Sequence, residues 1–458
     1  MFSGKRVYFL GIGGIGMSAL AKHIQHIGYQ VSGYDKTETE ITKSLIQCGI
    51  PVFYDVDITH LQGVSTVIYT PAIPSDHTEF VYCQANNIPC YKRSEVIGWI
   101  SAQYQTIAVA GTHGKTTVCS MITTLLRESG IDCSAFVGGI MLNYNTNYLS
   151  GSSPYLVVEA DEYDRSFLTL SPKYAVVTAT DADHLDIYQT HKIFLSTMSA
   201  FAGRITQKLI TTPAVWESLP EKPRSEVLIY GQTPQSDIRC INLRPVAWGT
   251  YFDYEFENCC WKNLFLPIPG THNVLNATAA IIVARELGIS EEQVRTALAA
   301  YQGVKRRYEL RYAQHDIFLI DDYAHHPEEL RAVIEASRRQ FPDYRLMVIF
   351  QPHLYTRTRD FADKFAEVLS AADEVIITPI YPARELSIPN VSSELIYQQI
   401  YHEHRHNVTL PSLTEVFMRL IKPKSVCLLT GAGDIDGFIP DMIHALKAKF
   451  EKPETMAL

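Results

Sequence analysis

The chain has 458 residues, 46% hydrophobic and 19% charged, the balance of a soluble globular protein with material for two to four domains. Its formal net charge of -9 leaves no basic footprint for nucleic acid, whose phosphates must be met by clustered Lys and Arg, so nucleic acid is excluded as a partner. Nine scattered cysteines with no C-x-x-C give neither a disulfide framework nor a zinc site, no run approaches the roughly 20 apolar residues of a membrane span, and a cytoplasmic protein is expected.

Apolar, β-branched runs alternate with helical patterns along the chain, which predicts parallel α/β architecture. The first series is "RVYFL", "QVSGYD", "TVIYTPA" and "IPCYK". Residues 7 to 21, "VYFLGIGGIGMSALA", carry too many glycines for a signal-peptide core and suit a strand and loop. There Gly11-x-Gly13-x-x-Gly16 follows the strand directly, with Gly14 and Ile15 inside the motif and Asp35 ending the next strand. Glycines at these points let backbone N–H groups approach a diphosphate, which also sits at the positive end of the following helix. A nucleotide diphosphate site is predicted, and the spacing does not say which nucleotide.

The second series opens on "TIAVAG" and includes "YLVVEADE" and "YAVVTATDADH". Gly111-Thr112-His113-Gly114-Lys115-Thr116-Thr117 stands between a strand and an amphipathic helix, the context a P-loop requires, although the first glycine of the usual pattern is replaced by Val109. Backbone N–H groups there would wrap phosphates, Lys115 would reach the β and γ oxygens, and the Thr116 hydroxyl would hold Mg²⁺. ATP is the expected ligand. Glu159, Asp161 and Glu162 close one following strand and Asp181, Asp183, His184 and Asp186 another, a donor set that suits Mg²⁺ or Mn²⁺ better than zinc. Residues 205 to 265 show no chemistry.

A third series, "DIFLIDDYAHHP", "YRLMVIFQPH", "EVIITPIYP" and "SVCLLTGAGD", completes three α/β units over 1–105, 106–305 and 306–458. Two phosphate sites and a metal set in one chain suggest ATP-driven chemistry on a second phosphate-bearing substrate. "GIGGIGMS", "AGTHGKTT", "VEADEYD", "DADHLD", "GTHNVLNA", "GVKRRYE", "DDYAHHPEE" and "QPHLYTRTRDF" follow the order found in the Mur ligases, which extend the peptidoglycan precursor, and the chain resembles that family from Gly11 to residue 434. The last two motifs look most like the member that joins L-alanine to UDP-N-acetylmuramate.

The resemblance implies an N-terminal Rossmann-like domain for the UDP-sugar, a central ATPase with a mostly parallel sheet, and a C-terminal Rossmann-like domain for the amino acid, closing about linkers near 105 and 305. It implies an acyl phosphate made from the muramate carboxylate and ATP, then attack by the amine. Lys115 would support the transferring phosphate; Thr116 and Glu159 would hold one Mg²⁺, and Glu159 with His184 a second. His272, Asn273 and Asn276 would meet adenine, with a helix N-cap the other reading of Asn273. Arg306 or Arg307 would meet phosphate. Asp322, Tyr323 and His325 would lie near the γ-phosphate and the amino acid, the paired His325 and His326 having a helix-capping alternative. Arg357 matches the arginine that grips the amino-acid carboxylate. A second arginine of the common pattern is Leu354 here, for which Arg359 is the candidate substitute. A monomer or weak homodimer is expected. The alternatives are the family's tripeptide-recycling ligase, an NAD-dependent oxidoreductase, which would leave Lys115 idle, and a non-catalytic nucleotide switch, which would leave the C-terminal motifs idle.

Overall fold

Three mostly parallel sheets follow one another along the chain in a computed structural model that describes residues 2, 4–181, 188, 190–246, 248–257, 259–383 and 385–450. The first contains β1 (Arg6–Leu10), β2 (Gln30–Tyr34), β3 (Val52–Phe53), β4 (Thr66–Tyr69) and β5 (Cys90–Lys92), in the order β3-β2-β1-β4-β5. Every pair is parallel. In β1 the consecutive residues Val7, Tyr8, Phe9 and Leu10 are all buried, because a parallel sheet is covered on both faces and rewards an unbroken apolar run.

The second sheet has ten strands: β6 (Gln105–Ala110), β7 (Ser134–Met141), β8 (Thr146–Leu149), β9 (Tyr155–Glu159), β10 (Pro172–Val177), β11 (Lys208–Thr211), β12 (Glu226–Gly231), β13 (Ile238–Val246), β14 (Gly249–Phe256) and β15 (Cys259–Leu266). Their order is β15-β14-β13-β12-β11-β10-β6-β9-β7-β8. The stretch in which the sequence shows no chemistry therefore builds β11 to β15, one flank of the sheet that carries the P-loop. The third sheet holds β16 (Glu309–Gln314), β17 (Ile317–Asp322), β18 (Arg345–Phe350), β19 (Glu374–Ile377), β20 (Arg405–Asn407) and β21 (Ser425–Thr430), in the order β16-β17-β21-β18-β19-β20. Only β16 runs antiparallel to its neighbour. Helices Pro327–Gln340 and Tyr355–Leu369 supply one apolar cluster over this sheet, and helices Leu413–Leu420 and Ile439–Phe450 supply another.

The chain divides into two compact units. One comprises Met1–Asn242, Phe252–Leu264 and Leu275–Gln302, the other Leu243–Tyr251, Phe265–Val274 and Gly303–Leu458. The second unit thus takes in a short piece of the β13–β15 region, and Trp248 from that piece packs 6.2 Å from the ring of Tyr308.

Within the first unit the helix Ile15–His26 rests on β7 and β8. Asn147 donates from Nδ2 to the Ile15 carbonyl at 2.7 Å and to Ser18 Oγ at 3.0 Å, and Lys22 reaches Asn147 Oδ1 at 3.3 Å. His23 Nδ1 lies 3.0 Å from the Tyr148 hydroxyl, and burial pulls its pKa down to about 4, so the contact is between neutral groups at physiological pH. Asn147, itself 1% exposed, bonds two groups of that helix's first turn. Asn147→Ala should lower the stability of the first unit by about 1–3 kcal/mol, read as a shift in its urea midpoint with an unchanged m-value.

Candidate active site

The P-loop lies at the carboxyl ends of the central strands, where α/β sheets gather their ligands. β6 runs parallel between β9 and β10, and the register sets Val109 opposite Glu159 and Ala110 opposite Val177. Val109, where the usual motif has its first glycine, is a fully buried strand residue. The loop is correspondingly short, and its turns are made by Gly111 at φ 124° and Gly114 at φ 80°, values that favour glycine. Helix Lys115–Glu128 begins immediately, with Gly114 as its cap residue.

Lys115 heads that helix and donates from Nζ to the Gly111 carbonyl at 2.7 Å and to Glu162 Oε1 at 2.8 Å. Burial alone would depress the ammonium pKa; Glu162 and Glu159 overcome it and hold the pKa above its ordinary value, so Lys115 stays charged. Thr116 Oγ1 donates to Glu159 Oε1 at 3.1 Å, while the other oxygen, Oε2, accepts from Gly138 N at 2.8 Å. Burial raises the Glu159 carboxyl against the pull of Lys115, Thr116 and Gly138. Gly138 was not legible as a site residue. An added Cβ there would lie 2.7 Å from Glu159 Cδ, so the carboxylate occupies the space that glycine leaves.

The rest of the loop is braced from β10. Thr178 Oγ1 donates to the His113 carbonyl, Thr112 N donates to Ala179 O at 3.1 Å, and His113 Nε2 lies 3.7 Å from Asp181 Oδ2. Thr117 is buried in the first turn of the helix. Asn276 lies against the loop, since a Cβ on Gly114 would stand 2.8 Å from its Oδ1. His184, with Asp183 and Asp186, lies outside the described residues.

The first glycine loop has its own brace. Gly11, at φ 82°, and Ile12 donate to the Tyr34 carbonyl at 2.8 and 3.0 Å. Asp35 stands one residue beyond β2 and accepts from Gly13 N at 2.7 Å and from Thr37 N at 3.2 Å, so both its oxygens shape the loop. Gly14 caps helix Ile15–His26 without a side-chain bond. Against its first turn, 2.8 Å from a Cβ on Gly16, stands Nη1 of Arg93, a residue the sequence reading passed over.

In the second unit, Arg306 and Arg307 separate. Arg306 is committed internally: its guanidinium donates to the carbonyls of Gly433 at 3.0 Å and Gly431 at 2.6 Å and pairs with Asp436 at 3.1 Å and Asp321 at 3.5 Å. Arg307 makes no ion pair among the described residues, and its guanidinium lies 5.2 Å from the Tyr323 ring centre. Asp322 accepts from Tyr308 N and Ala324 N, both at 2.7 Å. His325 Nδ1 lies 2.9 Å from the Tyr323 carbonyl, which can only accept, so Nδ1 carries the proton and Nε2 is left with its lone pair. Burial lowers the His325 pKa, with Glu329 opposing and Arg357 and Arg307 reinforcing, so the ring is neutral. His326 is the cap of helix Pro327–Gln340, accepting from Glu328 N at 3.5 Å.

Arg357 Nη1 lies 3.5 Å from His353 Nδ1, and His353 lies 5.7 Å from the His325 ring, which gathers these side chains beyond β17 and β18. Arg359 points away, half-exposed and paired with its neighbour Asp360 at 2.7 Å. Leu354 precedes helix Tyr355–Leu369 at φ 70°, a conformation uncommon for leucine, held by its N–H bond to the Tyr381 carbonyl at 3.0 Å. His272 and Asn273 open helix Thr271–Glu286. Burial, with Arg339 nearby, lowers His272 to about 4. Asn273 sits inside the first turn and donates from Nδ2 to Pro269 O at 2.7 Å.

Three family models match the chain: "Mur ligase family, catalytic domain" over residues 6–105, "Mur ligase middle domain" over 109–284 and "Mur ligase, glutamate ligase domain" over 306–433. The chain belongs to the Mur ligase family. A UDP-N-acetylmuramate–L-alanine ligase of Cytophaga hutchinsonii is 41% identical over 444 residues, covering 94% of this chain and 95% of that protein. The protein of the same name from Phocaeicola vulgatus is 40% identical over 97% of this chain and 99% of its own length. The crystal structure of UDP-N-acetylmuramate-alanine ligase from Thermotoga maritima superposes with a TM-score of 0.84 at 28% identity, covering 97% of this chain and 99% of that one. A murein peptide ligase from Psychrobacter arcticus, 22% identical with a TM-score of 0.72 over 97% and 99% of the two chains, shares the fold.

In this Mur ligase the buried Asp322 carboxyl is raised to about 6, chiefly by burial, with Arg307 opposing. A carboxyl raised on folding binds its proton more tightly in the folded state, so that state loses stability as pH rises from the ordinary carboxylate range through about 6. Asp322→Asn abolishes that slope. Beyond a fixed loss from a backbone N–H left unmet, the variant should gain stability relative to the parent between about pH 4 and pH 7, measured as denaturant midpoints at the two ends of the range.

Proposed function

We infer that the chain joins L-alanine to the lactyl carboxylate of UDP-N-acetylmuramate in an ATP-dependent reaction, the first amino-acid addition of peptidoglycan precursor synthesis. The observation that carries this is the buried, charged Lys115 cradled at a P-loop, in a chain about 40% identical over nearly its full length to ligases of that name. The carboxylate oxygen bonds to the γ-phosphorus while the bond to ADP breaks, giving an acyl phosphate. The alanine nitrogen then adds to the acyl carbon, loses a proton and expels inorganic phosphate. The first step brings an anion onto an anionic phosphate and the second builds an oxyanion on the acyl carbon, so catalysis consists mainly of placing fixed positive charge where negative charge gathers.

Residues of the first unit do this for the phosphates. Lys115 presents an ammonium whose position is set by Gly111 and Glu162, and backbone N–H groups of the same loop, other than that of Thr112, which donates to the Ala179 carbonyl, are assigned to the phosphates. Thr116 and Glu159 offer oxygen donors only, one of them a carboxylate beside the helix start, and this set fits a hard divalent ion such as Mg²⁺. Bound there, Mg²⁺ would neutralise charge on the β and γ oxygens. His184 is the proposed further ligand. The first glycine loop, with Gly11, Gly13, Gly14 and Gly16, is assigned to the diphosphate of the UDP-sugar, its turn held in shape by the bonds from Gly11 N to the Tyr34 carbonyl and from Gly13 N to Asp35.

In the second unit Arg307, which makes no contact ion pair among the described residues and acts on the Asp322 carboxyl only at longer range, is assigned to phosphate and Arg357 to the amino-acid carboxylate. His325 is assigned as the proton acceptor for the amine, its lone pair at Nε2 kept available by the Tyr323 carbonyl on the other nitrogen. His272 and Asn273 are assigned to adenine, and Asn276 to the phosphate loop that it touches. No helix among the described residues is long and apolar enough to cross a membrane, and a reaction drawing on ATP and a sugar nucleotide suits the cytoplasm.

Phosphate release from Mg-ATP and UDP-N-acetylmuramate should require L-alanine, with glycine and L-serine weaker. Release only with L-Ala-D-Glu-diaminopimelate would move the chain to peptide recycling. Lys115→Ala should reduce turnover by at least three orders of magnitude, in the range of losses for removed transition-state charge contacts, while UDP-sugar affinity measured by calorimetry stays within about three-fold. A parallel collapse of UDP-sugar binding would contradict separate sites.

A further inference from the structure

Arg93 opens helix Arg93–Ser101, directly after β5, and its guanidinium reaches across to the first turn of helix Ile15–His26. A Cβ on Gly16 would stand 2.8 Å from Nη1 and 3.3 Å from Cζ, so the residue at 16 is glycine where the guanidinium passes. That end of a helix carries the positive half of the peptide dipole, and a cation there is repelled unless an anion joins it. Among the described residues its one ion pair is Asp161 Oδ2 at 3.4 Å, longer than the roughly 2.8 Å of a good charge-assisted bond. Asp161 is itself immobilised: its Oδ1 accepts from Tyr163 N at 3.1 Å and its carbonyl from Phe167 N at 3.0 Å and Ser166 Oγ at 2.8 Å. The guanidinium is therefore moored at one edge by a fixed carboxylate and presented to the glycine loop at the other.

We propose that Arg93 is a binding residue for the diphosphate of the UDP-sugar, with Asp161 as the positioning residue that aims it. This rests on reading the glycine loop as the UDP-sugar site. The planar guanidinium suits two phosphate oxygens at once, which lysine's point charge does not reproduce. Because Asp161 stands between Glu159 and Glu162 in sequence, the side chain that aims the sugar-nucleotide clamp belongs to the strand end that also serves Thr116 and Lys115.

The test is calorimetric titration of the full chain with UDP-N-acetylmuramate, UDP and UMP. Arg93→Ala should weaken UDP-N-acetylmuramate and UDP about ten- to hundred-fold, change UMP less than about three-fold, and leave the non-hydrolysable ATP analogue AMP-PNP unchanged. Asp161→Asn should give a smaller loss for UDP, and Arg93→Lys should recover only part of the alanine variant's. If Arg93→Ala does not fold, Arg93→Gln, which can still donate to Asp161, carries the same expectation. Unaltered UDP affinity in these variants, or equal losses for UDP and UMP, overturns the proposal. A parent chain that binds no uridine nucleotide overturns the reading of the glycine loop itself.

Discussion

A lysine ammonium buried behind a phosphate loop is tolerable only if its charge is met, and the central part of the molecule is arranged around meeting it. Lys115 is satisfied by a backbone carbonyl of its own loop and by Glu162, with Glu159 close behind. Those carboxylates are available because β9 pairs with β6 in a register that brings its end beside the loop. The place of the Glu159 carboxyl in turn needs Gly138 without a side chain, since the carboxyl fills that space. Each requirement lies on a different strand, so the charge at position 115 links the sheet order to the chemistry.

In the second unit a different device keeps a histidine neutral. A histidine can accept a proton at one nitrogen only when the other is committed, and the backbone carbonyl of Tyr323 commits Nδ1 of His325. Neighbouring arginines and burial keep the ring uncharged. Directly after it, His326 is spent on capping a helix, so two adjacent histidines of identical chemistry serve different ends because the chain turns between them.

Much of this was legible in the sequence, for physical reasons. The α/β fold shows in the alternation of apolar runs and amphipathic patterns, and the two glycine loops show because glycine spacing there is dictated by backbone geometry. What escaped was long-range. Arg93 looks like any residue at the start of a helix until the fold carries it to Gly16, and Gly138 looks like a strand interruption until Glu159 is seen in its place. The choice between Arg306 and Arg307 could not be made from a dipeptide, because it depends on Asp321, Asp436 and two glycine carbonyls far along the chain. Asp35 shows the converse: the sequence marks it, and the structure turns its carboxylate back on its own loop.

The second unit is not one continuous stretch of chain, and this bears on how the protein is made. Residues 243–251 and 265–274 belong to it although they precede its main body, which starts at Gly303. Trp248, seated near Tyr308 against the cluster that includes Phe350 and Leu428, emerges from the ribosome well before the strands it packs on. Until those arrive the indole lacks the surface it packs on, although β13 and β14, which flank it, already pair with each other. For the same reason a fragment beginning at residue 303 lacks part of its own core, so the second unit is not a module that genetic truncation can release intact.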